Sequence, residues 1–290
     1  MSAFLITGAG GMLGQDLRRA LEPRAAAGDT VDARTRQELD ITDPEAVAAA
    51  LEGVDVVFNA AAYTAVDRAE EDEEAAFAIN ARGVAVLAEA AARTGARLIH
   101  FSTDYVFQGD AHEPYREDAP RDPLNAYGRS KAAGEEAALA AHPEGTCILR
   151  TAWLYGAGGP NFAKTMVGLA ESRPEVAVVD DQLGQPTYTR DLAEQAVRLA
   201  EAGGPAGVYH ATNAGETTWF GFAREIFRLA GHDPERVAPT DSSAFARPAA
   251  RPAYSVLGHD AWSRAGLSPM RDWREALEAA AADGVLVSSW

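Results

Sequence analysis

Residues 3–7 form a short apolar run that Gly8-Ala9-Gly10-Gly11 cuts off, after which Met12, Leu13, Leu17 and Leu21 recur at helical spacing. That order predicts a buried strand, a tight turn and a helix. A second strand is expected to end around 31–33, and Asp43-Pro44-Glu45 opens another helix, with Asp43 as its cap and Pro44 at its first position. Residues 54–60 read as the next strand, 75–94 as a long Ala-rich helix and 97–102 as a strand. Pro123 then precedes a helix over 126–141, and 146–151 returns to strand character. Strands separated by helices of this length predict an α/β fold, a doubly wound, mostly parallel sheet with helices on both faces.

Beyond Gly156 the rhythm changes. A helix over 162–171 leads to the apolar run 176–179 and a turn-rich stretch over 180–186; Asp191 is placed to cap a helix running to Glu201, and 207–210 can return as a strand. Two more helices, 219–230 and 270–282, flank a Pro-rich stretch over 239–252. The pattern divides the chain into a dinucleotide-type region, 1–155 completed by 188–212, and a smaller region, 156–187 with 213–290, suited to a substrate.

Composition narrows the field. Asp and Glu number 43 against 26 Lys and Arg, a net charge of −17, and no dense basic stripe offers a nucleic-acid backbone a landing site. An acidic chain is also repelled by anionic membranes, and the N-terminal apolar run is too short to span a bilayer and lacks a secretory layout, so a cytoplasmic protein is expected. Cys147 is alone, in an apolar run, and reads as a buried thiol. The six histidines form no ligand cluster by spacing, and no metal site is assigned.

In Thr7-Gly8-Ala9-Gly10-Gly11-Met12-Leu13-Gly14, Gly8 permits the sharp turn, Gly11 lets backbone approach a pyrophosphate and Gly14 allows close helix packing, with the helix N-terminus facing the anion. The spacing is GxxGxxG, and no Gly-Lys-Ser/Thr follows, so a dinucleotide is favoured over nucleotide hydrolysis. After the second strand, Asp32 can accept from a ribose hydroxyl, whereas Arg34 and Arg36 can pair with a ribose phosphate; Asp40 and Ile41 can wall an adenine. NADPH and NADH both stay open as cofactors.

Tyr127 and Lys131 fall on one face of the 126–141 helix. A phenol is a poor acid at neutral pH, and a neighbouring ammonium favours its ionised form, which gives the pair the makings of a proton-transfer device. Ser102-Thr103-Asp104 closes a strand, where parallel sheets carry their reactive groups, and Thr103 can orient a substrate oxygen toward Tyr127. Trp153 is either a flat wall for a sugar or core, and Tyr105 either a contact or packing. Asn80 by itself reads as a polar helix residue.

Together Gly8 to Gly14, Thr103 and the run Tyr127-Gly128-Arg129-Ser130-Lys131 resemble the extended short-chain dehydrogenases/reductases over essentially the whole chain. The segments 59–67, 102–107, 150–156 and 181–187 resemble, more narrowly, those that reduce a nucleotide sugar. The resemblance implies hydride transfer from NADPH or NADH to C4 of dTDP-4-dehydro-L-rhamnose, with Thr103, Tyr127 and Lys131 as the catalytic group and Asn80 as a helper that orients a water or backbone group. It implies cofactor contacts from Gly8, Gly10, Gly11, Met12, Leu13, Gly14, Arg34, Asp40, Ile41, Ala61, Ala62, Thr64, Asn80, Tyr127 and Lys131. For the dTDP-sugar it implies Val66, Thr103, Tyr105, Trp153, Asn161, Gln185 and Arg251. Some relatives use magnesium and acidic side chains at a homodimer interface; Asp16 stands at one such place, and the tail over 283–290 supplies no counterpart. A related epimerase or dehydratase would share the glycine loop, Tyr127 and Lys131, and a non-catalytic, cofactor-binding regulatory subunit is the third alternative.

Overall fold

A computed structural model describes residues 1–287. The first half alternates β1 (Ala3–Thr7), α1 (Met12–Ala26), β2 (Thr30–Arg34), α2 (Pro44–Ala50), β3 (Val56–Asn59), α3 (Val66–Glu71) and α4 (Glu73–Phe77). The α4 helix runs on through a wide, π-type turn at Ala78–Gly83 into α5 (Val84–Thr94), followed by β4 (Arg97–Thr103), α6 (Ala126–Ala141) and β5 (Thr146–Thr151). The second half comprises β6 (Leu154–Tyr155), α7 (Phe162–Ser172), β7 (Val176–Val179), β8 (Leu183–Gly184), β9 (Thr187–Tyr188) and α8 (Thr189–Glu201), then β10 (Gly207–His210), β11 (Thr217–Thr218), α9 (Trp219–Leu229), β12 (Val237–Thr240) and α10 (Trp273–Ala282).

Six strands pair in parallel in the order β2-β1-β3-β4-β5-β10. The chain leaves β1 toward one edge through β2 and returns on its other side through β3, so the crevice at the carboxyl ends of β1 and β3 is the topological switch point at which such sheets bind ligands. One face of the sheet is covered by α1 and α8 around Leu17, Leu21, Phe58, Leu192 and Leu199, the other by α2, α5 and α6 around Val47, Leu87 and Ile148. A third apolar cluster, centred on Phe222, Phe227, Trp273 and Leu277, joins α7, α9 and α10 into the smaller region.

Two local expectations change in the structure. Asp191 does not cap α8, which starts two residues earlier; its carboxylate accepts from Arg271 at 2.6 and 2.9 Å and from Asn213 at 2.8 Å, an ion pair that ties the start of α8 to the chain entering α10. Trp262, inside the segment read as substrate region, belongs to the sheet cluster: it is fully buried there and its indole N–H donates to His210 O at 2.8 Å. The helical stretch Glu73–Thr94 is long and apolar enough to span a bilayer. It packs its inner face against α2 and α6. Residues 288–290, the end of the tail read above, lie outside the described residues.

Candidate active site

The glycine loop shows why small residues stand where they do. Gly8 has φ +69°, and a Cβ there would lie 2.6 Å from Ala61 N, while a Cβ on Gly14 would lie 2.3 Å from Gly8 O. The first contact seats β1 against the loop after β3, and the second seats α1 against the turn. No side chain caps α1, so its first amides remain available to an anion. Leu13 is buried and Gly10 exposed. Beside them opens a cleft of about 290 Å³ lined by Gly8, Gly10, Arg36, Asp40, Ala61 and Ala62. Ile41 is at its wall too, packed so closely under the wide turn that a Cβ on Gly83 would lie 2.8 Å from it. These features fit a dinucleotide. Arg34 pairs with Asp32 at 2.7 Å and is not among the residues lining the cleft, whereas Arg36 is. Thr64 is exposed, and Val66 begins α3 half-buried.

Thr103 ends β4 and Tyr127 lies in the first turn of α6. Asn125 caps that helix by accepting from Gly128 N at 2.8 Å, and Gly128 lets it dock so tightly that a Cβ would lie 2.2 Å from Tyr105 O. The Thr103 hydroxyl donates to Asp104 Oδ1 at 2.9 Å and lies beside the Tyr127 phenol. Tyr105 meets Tyr127 edge to face, ring centroids 5.7 Å apart. Burial, with the Asp104 carboxylate adding to it, pushes the phenol well above its ordinary range, and the Thr103 hydroxyl pulls only partly the other way. The acidified phenol expected from the Tyr127–Lys131 pair is therefore not the resting state. The phenol is held protonated, as a proton donor must be.

Lys131 explains the difference. Its Nζ donates to Phe101 O at 2.7 Å and lies 3.4 Å from His100 Nε2, beneath the sheet end. Burial lowers its ammonium to about 8, with Glu135 opposing. Asn80 sits in the wide helical turn and acts on backbone: its Oδ1 accepts from Tyr63 N at 2.8 Å, and its Nδ2 donates to Tyr63 O and to Ser130 Oγ, both at 3.0 Å. It thus pins the loop that follows the cofactor-cleft alanines to the helix carrying Tyr127 and Lys131. Asp104 is buried and its Oδ2 lacks a well-formed hydrogen bond, with the Ser255 hydroxyl as its neighbour; burial raises its carboxyl to about 6.

A second cleft, about 520 Å³, opens between the two regions and is lined by Tyr105, Phe162, Gln182, Trp219, Arg247 and Arg251. Arg251 lies over the Tyr105 ring and pairs with Asp67 at 3.0 Å; Arg247 approaches the same carboxylate at 3.5 Å. Trp153 stands one layer back, stacked on Trp219 with centroids 3.7 Å apart, at φ +47°. Asn161 caps α7, its Oδ1 accepting from Lys164 N, and its amide donates to Gly156 O at 2.9 Å and lies 3.7 Å from Met12 Sδ. Gln185 departs from its expected place. It is buried, donates to Gly215 O and Leu257 O, and accepts from Thr212 Oγ1 and Leu257 N, which fills its amide with internal partners and leaves Gln182 at the cleft. Trp219 and Arg247 were not singled out from sequence. The aromatic opening of an amphipathic helix directly after Thr217-Thr218 was the available signal for Trp219.

The residues around Asp16 do not fit a magnesium ion. Asp16 accepts from Thr189 Oγ1 at 2.6 Å, and the nearby Asp283 is taken by Arg190 at 2.7 Å and by Tyr188. A guanidinium already supplies the positive charge, and among the described residues no group of three His, Cys, Asp or Glu side chains could hold a metal.

A parallel sheet with a glycine turn at its switch point, a strand-end threonine and a helix-borne tyrosine and lysine define a nicotinamide-dependent enzyme of the extended short-chain dehydrogenase/reductase class. The model of the family described as RmlD substrate binding domain matches residues 1–285, and the chain belongs to that family. It is 52% identical to the dTDP-4-dehydrorhamnose reductase of Streptomyces griseus over 94% of this chain and 91% of that one. It is also 52% identical to a probable dTDP-4,6-dihydroxy-2-methyloxan-3-one 4-ketoreductase of Streptomyces antibioticus, over 97% and 95%. Among solved structures, the dTDP-4-dehydrorhamnose reductase of Bacillus anthracis in complex with NADP matches with a TM-score of 0.92 and 39% identity, covering 98% of this chain and all of that one.

Proposed function

We propose that the protein reduces the C4 ketone of dTDP-4-dehydro-L-rhamnose to the hydroxyl of dTDP-L-rhamnose. The observation that carries this reading is the position of Thr103 and Tyr127 at the carboxyl end of β4, beside Tyr105 of the aromatic and cationic cleft and one helical turn before Lys131. NADPH or NADH supplies the hydride when bound at the glycine loop. The Thr103 hydroxyl aligns the ketone oxygen, and the Tyr127 phenol, kept protonated by its burial, gives its proton to that oxygen as negative charge develops there. Gln182, Arg247 and Arg251 offer polar and cationic contacts to the diphosphate end, and Trp219 and Phe162 offer faces to the flat parts of the ligand. Such remote contacts hold the reacting carbon in place.

The test is to follow cofactor oxidation and sugar product together, with NADPH and NADH in parallel. The expected result is one cofactor oxidised per sugar reduced, and a loss of about 100-fold or more in turnover for Tyr127→Phe. A sugar product formed without net cofactor oxidation would indicate an epimerase and overturn the reading. The equal identity to the S. antibioticus ketoreductase favours a second reading, in which the substrate is another dTDP-4-keto-6-deoxysugar. Comparing kcat/KM across such sugars in the same assay separates the two.

A further inference from the structure

Lys131 is joined to the glycine loop by a buried chain of three polar side chains, and the chemistry of that chain fixes the state of one of them. Asn59 Oδ1 accepts from Thr7 Oγ1 at 2.7 Å and from Ala61 N at 3.2 Å. A backbone N–H can only donate, so the amide oxygen must be on that side and the Asn59 NH2 must face His100 Nδ1, at 3.0 Å. An NH2 also only donates, which leaves Nδ1 as the bare, accepting nitrogen. His100 is fully buried, and burial together with Lys131 holds its imidazole well below the ordinary range, so the ring is neutral. Its one N–H is therefore on Nε2, 3.4 Å from Lys131 Nζ.

We propose that His100 is a positioning residue for the catalytic lysine, held by Asn59 as the Nε2–H tautomer so that this N–H opposes a third proton on Lys131 Nζ and donates to the neutral amine. Against an ammonium, the Nε2–H meets another donor; against an amine, it finds a lone pair. Phe101 O accepts from Lys131 in either state. The other charged and titratable groups around Lys131 leave His100 its influence. Glu135 on the same helix favours the ammonium, but it is engaged by Arg150 of β5 at 2.7 Å, Arg121 at 3.3 Å and Ser102 at 2.6 Å. Tyr127 lies one turn earlier and is held protonated by burial and the Asp104 carboxylate. Asn80 and Ser130, from the wide turn and α6, are neutral. Burial lowers the Lys131 ammonium to about 8; the tautomer lock acts in the same direction and ties the lysine's charge to the backbone that shapes the cofactor cleft. The proposal takes Lys131 as catalytic and so rests on the function proposed above, but its primary test does not use turnover.

Nitrogen NMR of the labelled full-length protein, with His100→Gln and Lys131→Met identifying the signals, reads both groups directly. At neutral pH the expected His100 ring is protonated on Nε2 and bare on Nδ1; a proton on Nδ1 alone, or on both nitrogens, overturns the proposal. Asn59→Asp keeps the shape and still accepts from Thr7 and Ala61, but its carboxylate accepts a proton bond from Nδ1–H, which turns Nε2 toward Lys131 as an acceptor. The ring signals should exchange roles, and the Lys131 Nζ titration should move up by about one pH unit or more, as should the alkaline limb of the turnover profile. His100→Gln should also raise the Lys131 midpoint, and serves if the aspartate variant fails to fold. A Lys131 midpoint unmoved in the folded variants overturns the role of His100 even with the tautomer as described. A wild-type protein inactive on dTDP-sugars would remove the proposed function and leave the nitrogen measurements standing.

Discussion

Replacing Asp104 by asparagine should make the protein more stable at neutral pH. Asp104 is 2% exposed, and one of its carboxylate oxygens lacks a well-formed hydrogen bond. Burial raises the carboxyl from its ordinary 3.8 to about 6, which corresponds to about 3 kcal/mol lost by the folded state whenever this group is ionised. The sign follows from where the protons are. Below pH 4 folded and unfolded chains both hold the proton, and the raised value contributes its full stability. Between pH 4 and 6 the unfolded chain releases the proton first, so that contribution falls as pH rises and is gone above the folded value. Asp104→Asn mimics the protonated acid at every pH. It should match wild type near pH 4 and exceed it by about 3 kcal/mol at pH 7.5, or by roughly 6 °C in melting temperature for a chain of this length. Urea unfolding midpoints taken every half unit between about pH 4.5 and 7.5 measure the difference. Equal stabilities at pH 7.5, or a difference independent of pH, would refute the argument. The asparagine Oδ1 can still accept from Thr103 Oγ1, so the hydroxyl should stay beside Tyr127 in the variant.

Two further outcomes test the geometry. Gly134→Ala would place a Cβ 2.0 Å from Asn80 O, so α6 must lift from the wide turn; stability should drop by about 1–3 kcal/mol in urea unfolding and kcat should fall with it, whereas unchanged values for both would show that the two segments are not in contact. Arg36→Ala should cost NADPH about tenfold more in kcat/KM than NADH, while Arg34→Ala, whose side chain is already paired with Asp32, should shift the ratio little; parallel kinetics with the two cofactors decide, and the opposite ranking would reassign the phosphate contact.

The parts of this molecule legible in its sequence are those whose causes are local. The glycine turn, the cap at Asp43 and the limits of α6 each follow from a few adjacent residues, and the helical spacing alone puts Tyr127 and Lys131 on one face. What pairs across the sheet left no local trace. His100 reaches Lys131 across 31 positions and Gln185 reaches Leu257 across 72, so neither the tautomer lock nor the internal role of the glutamine had a signature in spacing. Asp191 illustrates the competition: an acid at a helix start has cap chemistry, but Arg271 arrives from 80 residues away and takes its carboxylate. The wide turn at Ala78–Gly83 was hidden inside an uninterrupted Ala-rich helical pattern, because it is packing against Ile41 and Gly134 that accommodates it.

Trp153 restricts how the sugar-facing cleft can change. It is the described residue other than glycine with a left-handed backbone, a conformation that costs a bulky residue about 1–3 kcal/mol and is retained because the indole is clamped between Trp219 and Gly184. Backbone and ring are therefore one mechanical unit. A β-branched replacement would lose the stack and keep the strain, and glycine would relieve the strain and leave a hole. Neither gives a graded change of wall. Variation in substrate preference, whether selected or engineered, is channelled to Phe162 at the start of α7 and Gln182 before β8, which line the cleft and take no part in that clamp.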